Sequence, residues 1–307
     1  MEENSTIGQF KLFRAVLGIR VLFFVYLVVF PVPHCFSQGE SLISKVYRNL
    51  LASKFLVIDS KVDSSIENFK YQGLELKRLS SSARIEIKRG NPYFMSIHDI
   101  RRMDFKSEDY SPQIQDSWFY LVGNIFYFRL GQEWFKIDLG EDIWEVIEGY
   151  KDLPRAGFNN KLSRSFVDIL KNSTNFDIFK RLKEFDIEKK GAFYIVFAKI
   201  DEGKNRAGSI LKGIVPQGLK AGPKDGTAVQ VKMYIGVDDM RLHKIVSSSA
   251  LVLNLESAKA LQKINLIQEY TYPESFEISL PSQLGSARDL TLKTDKEIEK
   301  IFLKGAQ

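Results

Sequence analysis

Few residues in this chain of 307 have the type and spacing that chemistry requires. There are three histidines, His34, His98 and His243. None lies in a His-x-x-x-His or His-Glu pattern, and a metal site draws three or four ligands from His, Cys, Asp and Glu. The one cysteine, Cys35, has no second thiol to pair with. Asp238-Asp239 and Glu141-Asp142 could form carboxylate pairs, but a turn and a helix N-terminus explain them more simply. Ser247-Ser-Ser249 reads as a strand edge, and no Gly-x-Ser-x-Gly elbow is present. A phosphate-cradling Gly-x-x-x-x-Gly-Lys-Ser loop is absent as well. The expectation is therefore a protein that is not an enzyme and uses no metal and no cofactor. A hydrolase survives only if folding brings a serine, a histidine and a carboxylate together in one cleft.

Binding chemistry is better represented. Hydrophobic residues make up 44% of the chain and charged residues 27%, with 23 Phe and 12 Tyr. That composition suits a globular protein. Its rings supply either a large core or the lining of a cavity for apolar ligands. The formal charge of +6 is spread among acidic residues without a run of like charge. This argues against nucleic acid as a partner and leaves weak attraction to an anionic membrane surface.

Lys11, Arg14 and Arg20 precede an apolar run from Val21 to Val32. Positive charge followed by about a dozen apolar residues is the layout of an export signal, and the run is short for a spanning helix. Pro31 and Pro33 favour an extended chain beyond it. Cleavage after Ser37, lipidation of Cys35 and an uncut N-terminal anchor are the three outcomes this segment allows. Residues 1–37 are thus expected to be a signal peptide, and the protein to reach the periplasm or cell envelope, either free or anchored to the membrane through its N-terminus.

The elements that must position any site follow from periodicity. Residues about 40–60 read as an amphipathic helix through Leu42, Val46 and Leu50. Gly73 to Lys77, Ala83 to Lys88 and Tyr93 to His98 read as strands. In residues 116–139, Gly123-Asn124 and Gly131-Gln132 separate three aromatic runs, which predicts a meander through tight hairpins. Both faces of that meander are apolar. Residues 141–152 and 161–186 read as helices, and Ala192 to Ile200 as an apolar strand. Gly208 to Val215 reads as a short helix, and 216–226 as a loop dense in Gly and Pro. Val229, Val231, Met233, Ile235 and Val237 alternate along the next strand. Asp238-Asp-Met240 turns the chain into two closing strands that end at Pro273. Short turns between successive strands predict an antiparallel sheet.

Three passages resemble a known group of proteins. They are Gly123 to Ile137, Val229 to Ile245 and Tyr270 to Pro281. The first resembles a hairpin ending in Trp, the second a strand pair around an acidic turn, and the third a closing strand running into a Pro-marked tail. The order of elements resembles LolA, the periplasmic lipoprotein carrier, and the mycobacterial lipoproteins LppX and LprG. Lys88-Arg-Gly-Asn-Pro92 is the nearest counterpart of the Arg-bearing Pro-Gly segment of LolA.

The resemblance implies an α+β fold, a curved antiparallel half-barrel with helices packed on its concave face. It would span residues 38–290 as one domain, followed by a C-terminal tail at 291–307. It also implies a carrier of lipid or acylated lipoprotein that holds acyl chains between sheet and helices. The candidates for that lining are Trp118, Tyr120, Phe126, Phe128, Trp134, Phe193, Ile195, Phe197, Val231 and Met233, with loop 216–226 gating access. Plain core packing is the competing reading of each. An envelope membrane protein is the partner implied by the alternative, a sensor or interaction module built on the same half-barrel.

Overall fold

The computed structural model describes residues 38–67, 70–71, 74–107, 110–130, 132–148, 150, 182, 185–202, 227–254 and 259–304, with helical positions at Ser163, Phe166, Val167, Leu170, Thr174 and Phe179. Helix α1 (Gln38–Ala52) comes first. The strands are β1 (Phe55–Glu67), β2 (Lys70–Tyr71), β3 (Leu74–Lys88), β4 (Phe94–Phe105), β5 (Gln113–Val122), β6 (Ile125–Leu130) and β7 (Glu133–Asp138), then β8 (Phe185–Lys190), β9 (Phe193–Glu202), β10 (Thr227–Gly236), β11 (Leu242–Asn254), β12 (Lys259–Thr271) and β13 (Arg288–Asp289). Between β7 and β8 lies the short α2 (Ile143–Ile147), and after β13 comes α3 (Asp295–Lys304).

These strands form one sheet in the order β13-β7-β6-β5-β4-β3-β1-β12-β11-β10-β9-β8, with β2 pairing on β3 outside that path. Every pairing is antiparallel except β13 on β7. The path has two ends, so among the described residues the sheet does not close into a barrel. The expected large antiparallel sheet is present, but it carries fewer described helices than the half-barrel picture implies.

The sheet is organised around a strand that the sequence reading misses. That reading runs the first helix toward residue 60. The helix instead ends at Ala52, where Ser53 Oγ donates to the Asn49 carbonyl at 2.7 Å, and β1 begins at Phe55. Strand β1 pairs with β12 on one side, from Val57 opposite Thr271 to Glu67 opposite Leu261. On the other side it pairs with β3, from Phe55 opposite Lys88 to Ser65 opposite Arg78. The apolar alternation of Leu56 and Ile58 gives way to Ser60 and Ser64, so the hydrophobic signal fades halfway along.

Other boundaries move for related reasons. The two strands read at 73–77 and 83–88 are one strand, because Leu79-Ser-Ser-Ser-Ala83 is paired throughout. The strand read at 93–98 runs on to Phe105. The helix read across 161–186 does not reach its end, since Phe185 begins β8. The helix read at 141–152 is described only over Ile143–Ile147. The short helix at 208–215 and the loop at 216–226 fall outside the described residues. The Gly123-Asn124 hairpin is where the spacing puts it, and Gly123 sits at φ +58°, a conformation that glycine adopts at little cost.

One face of the sheet packs on α1 through Ile43, Val46 and Leu50, all buried. Spacings of three and four residues align these side chains on one helical stripe. The same core takes in Ile298 of α3, with Ile301 packed against it, so the C-terminal helix is seated on the domain.

A buried ion pair holds α1, α2 and the β3–β4 turn together. Arg89 Nε donates to Glu148 Oε1 at 2.7 Å, with the two side chains only 9% and 11% exposed. Arg89 Nη1 donates to the Ser53 carbonyl at 2.6 Å, and its backbone N–H to Lys54 at 2.8 Å. The Tyr47 hydroxyl donates to the Glu148 carbonyl. Trp144 stacks on Tyr93 and donates its indole N–H to the Gly123 carbonyl at 2.6 Å. Removing one member of such a pair strands a charge in a dry site. Arg89→Ala should lower stability by about 3–5 kcal/mol in urea unfolding. Replacing both residues with apolar ones of similar size (Arg89→Met with Glu148→Leu) should cost clearly less, and equal losses would refute this role for the pair.

Candidate functional site

Side chains along a strand alternate between the two faces of its sheet, and the registers assign each face. Phe119, opposite Phe128 on β6 and Ile97 on β4, joins a row that continues through Ile85, Ile58 and Tyr270. This is the inner face, the one that packs on α1. Phe126, Phe128, Val231 and Met233 of the expected lining lie on it, all buried. The other six lie on the outer face. Tyr120 stands opposite Ser96 and Tyr127, and Trp134 opposite Arg129. Trp118 is opposite His98. Phe193, Ile195 and Phe197 alternate with the inner Val196 and Ala198 along β9.

The ten expected residues therefore cannot line one cavity. The expectation of a single lining is corrected to two separate surfaces, because adjacent strands of the aromatic meander present rings on both sides.

On the inner face, the β5–β7 end is solid. Phe166 packs its ring 4.4 Å from Phe126 and 4.6 Å from Phe128, and Phe128 lies 5.5 Å from Phe135. Farther along, the apolar rows give way to a polar band. Arg101 Nε donates to Asp99 Oδ2 at 2.6 Å, and Ser81 Oγ donates to Asp99 Oδ1 at 2.8 Å. Both charged residues are buried, as are Ser60, Ser64, Ser247 and Gln268. The Tyr270 hydroxyl donates to Gln268 Oε1 at 3.1 Å, and burial pushes that phenol well above its ordinary pKa. A buried ion pair costs desolvation and persists only when well hydrogen-bonded. This one sets ordered polar groups directly beside hydrocarbon.

The outer face carries a row of rings. His98 stacks on Trp118 at 3.8 Å between centroids and 10° between planes. Trp118 lies 6.3 Å from Tyr120, and Tyr120 is 5.8 Å from Trp134. Trp118 is 40% exposed. Burial, reinforced by the Glu86 carboxylate, raises the pKa of the Tyr120 phenol. Beside this row lies a half-open hollow of about 440 Å³ over the central strands. Its rim alternates in charge: Arg84 reaches Asp59 at 3.3 Å, and Lys244 donates to Glu269 at 2.8 Å. The Lys244 ammonium holds the Glu269 carboxyl below its ordinary pKa.

Both described histidines pair with carboxylates, His98 with Asp116 and His243 with Asp239, each at 2.9 Å. The Asp239 and His243 side chains lie against Gly236, where a Cβ would come within 2.2 Å of Asp239 Oδ1. The acidic turn is thus a glycine-dependent corner of the fold. Among the described residues, no group of three or more His, Cys, Asp or Glu could hold a metal. None of their helices is long and apolar enough to cross a membrane.

Sequence reasoning missed Asp99 with Arg101 and Arg89 with Glu148. The first pair carried a readable signal, two opposite charges two residues apart on the inner side of one strand. The second is brought together only by the fold.

No protein-family model matches the chain, and no curated protein matches it. Among solved structures, it is similar to a DUF1329 family protein from Desulfovibrio piger at 8% identity and a TM-score of 0.27, covering 78% of this chain and 93% of that one. It is also similar to a beta-barrel-like protein of domain of unknown function DUF1849 from Brucella abortus, at 8% identity and a TM-score of 0.26, covering 72% of this chain and all of that one. Overlaps this slight carry no functional argument.

The division into two faces predicts unequal costs for two ring truncations on neighbouring strands. Phe128→Ala should cost about 3–5 kcal/mol, as a core ring does. Trp118→Ala should cost clearly less, about 2 kcal/mol, the sum of its stack on His98 and the partial burial of a ring 40% exposed. Chemical denaturation of the two variants reads the difference, and similar losses would contradict the face assignment.

Proposed function

We propose that this protein is an exported, non-enzymatic carrier that holds the acyl chain of a lipid or lipoprotein against the inner face of its sheet. The observation that carries the reading is the make-up of that face across β1, β12, β11 and β10. There the bulky apolar residues Ile245, Met233, Val231 and Leu266 share the surface with the small Ser60, Ser64 and Ser247. Small side chains take up less width over that apolar floor than leucines would, and all of these residues but Leu266 are closed off from water, the setting a hydrocarbon chain needs. The β5–β7 end is filled by Phe166 and belongs to the core, so Phe126 and Phe128 are not assigned to the ligand.

The physical driving force is burial. Each CH₂ moved from water to an apolar surface contributes about 0.8 kcal/mol, so a twelve-carbon chain gains on the order of 10 kcal/mol before the costs of ordering it. The Asp99–Arg101 pair with Ser81 lies beside this floor and offers fixed donors and acceptors to a polar head. Export is supported by Lys11, Arg14 and Arg20 ahead of the apolar run 21–32.

The reading is tested on folded, full-length protein purified from a bacterial host. Organic extraction and mass spectrometry should recover bound lipid. A dansylated undecanoic acid should brighten saturably on binding and be displaced by palmitate. Ser247→Trp, which fills the width, should weaken that uptake by roughly tenfold, equivalent to about 1.4 kcal/mol, while circular dichroism confirms the fold. Protein that yields no lipid and shows no saturable uptake would overturn the carrier reading.

A further inference from the structure

The outer-face hollow has no part in the carrier reading, and its chemistry points elsewhere. It lies over the middle of the sheet, where β3 and β1 each pair with neighbours on both sides. Their backbone groups are consumed by those ladders. An extended peptide gains its affinity by pairing with a free strand edge, and none exists here. Only side chains are on offer.

Those side chains are a balanced set of charges interrupted by two exposed isoleucines, Ile100 and Ile267. Three cations, Lys61, Arg84 and Lys244, share the hollow with two carboxylates, Asp59 and Glu269. Glu86 adds a further carboxylate on Arg84 at 3.0 Å. A nucleic acid needs a net positive track, and this set does not provide one. Donors and acceptors at close intervals suit a ligand whose own groups both donate and accept, which is the property of hydroxyls.

The aromatic row supplies the second requirement. His98 lines the hollow and is stacked on Trp118, so the polar floor passes into the edge of a ring pair whose facing surfaces cover each other. The C–H faces of a sugar ring pack on such an edge through dispersion. Ser82, exposed on β3 within the hollow, keeps the floor low. A volume of about 440 Å³ falls within the range that small-molecule sites occupy.

We infer that this hollow and its flanking ring row form a saccharide-binding site for a short glycan segment, neutral or singly acidic. Arg84 and Lys244, held by Asp59 and Glu269, present fixed hydrogen-bonding groups to the hydroxyls. Lys61 meets an acidic substituent where the glycan carries one, and the edge of the His98–Trp118 stack, with the exposed Ile100 and Ile267 of the hollow, packs against a ring face.

Titration calorimetry on the full chain tests the inference, with chitotriose as the neutral probe and 3′-sialyllactose, a trimer with one carboxylate, as the acidic one. At least one should bind saturably, with a Kd on the order of 1 mM. Ser82→Trp, which fills the hollow from an exposed position, should abolish that binding. Trp118→Ala should weaken it about fivefold, while Lys61→Gln should weaken only the acidic trimer. Dansyl-lipid uptake should be unchanged in Ser82→Trp, so failure here is distinguishable from failure of the carrier reading. Lack of saturation by both trimers at tenfold higher concentration overturns the site. So does undiminished binding in Ser82→Trp, or saturable binding of a hexaproline peptide in place of either sugar.

Discussion

Almost everything in this molecule follows from one constraint: a strand paired on both sides must send alternate side chains to opposite faces. From β7 to β9 the strands pair without a gap, with register shifts only at Leu76/Arg78 and Tyr234/Ile235 among the described pairs, so between those points no residue chooses its surroundings independently. Once Ile58 faces the core, Asp59 must face water, and its neighbours Arg84 and Glu269 must follow. The inner rows of Ile, Leu and Phe and the outer rows of charge and exposed rings are two consequences of the same register. A one-residue slip anywhere would exchange them, at the cost of burying Asp59 and Lys61 and exposing Ile58.

The sheet alone could not survive in water, because its inner face is too apolar to stay bare. Helix α1 covers part of it, and the Arg89–Glu148 pair fixes that cover in place. The chain gathers Ser53, Lys54, Arg89 and Glu148 at one corner. The helix, the first strand and the β3–β4 connection are thereby joined by polar bonds of defined geometry, while the apolar contacts beneath supply most of the free energy. Directional bonds placed at the rim of a non-directional core give the cover a unique seat.

Much of this was legible in the residues. The hairpin at Gly123-Asn124 and the acidic turn at Asp238-Asp239 could be read because glycine and turn chemistry act over a few positions. The stripe Val46 to Leu50 could be read for the same reason. Strand β1 could not, since Ser60 and Ser64 occupy inner positions and break the alternation that marks a strand. Nor could the faces of the aromatic meander be told apart. Trp118 and Phe119 are equally apolar, and only the pairing of Phe119 with Ile97 shows which one points inward. The Arg89–Glu148 contact spans 59 positions, beyond any local pattern. The lining set failed as a set because rings were gathered by type, whereas strand geometry sorts them by parity.

The two ends of the sheet are finished differently. At the β7 end, β13 lays a parallel strand along the border through Arg288 and Asp289. At the other end, among the described residues, β8 has no neighbour beyond it. That border is only six residues long, and Asp186, Glu188, Lys189 and Lys190 stand exposed along it. A bare row of amide and carbonyl groups is a template on which further chains can grow into fibres, and shortness with crowded charge is how such growth is discouraged. The charges along β8 are of the kind that discourages a neighbouring molecule from pairing there and continuing the sheet into a polymer.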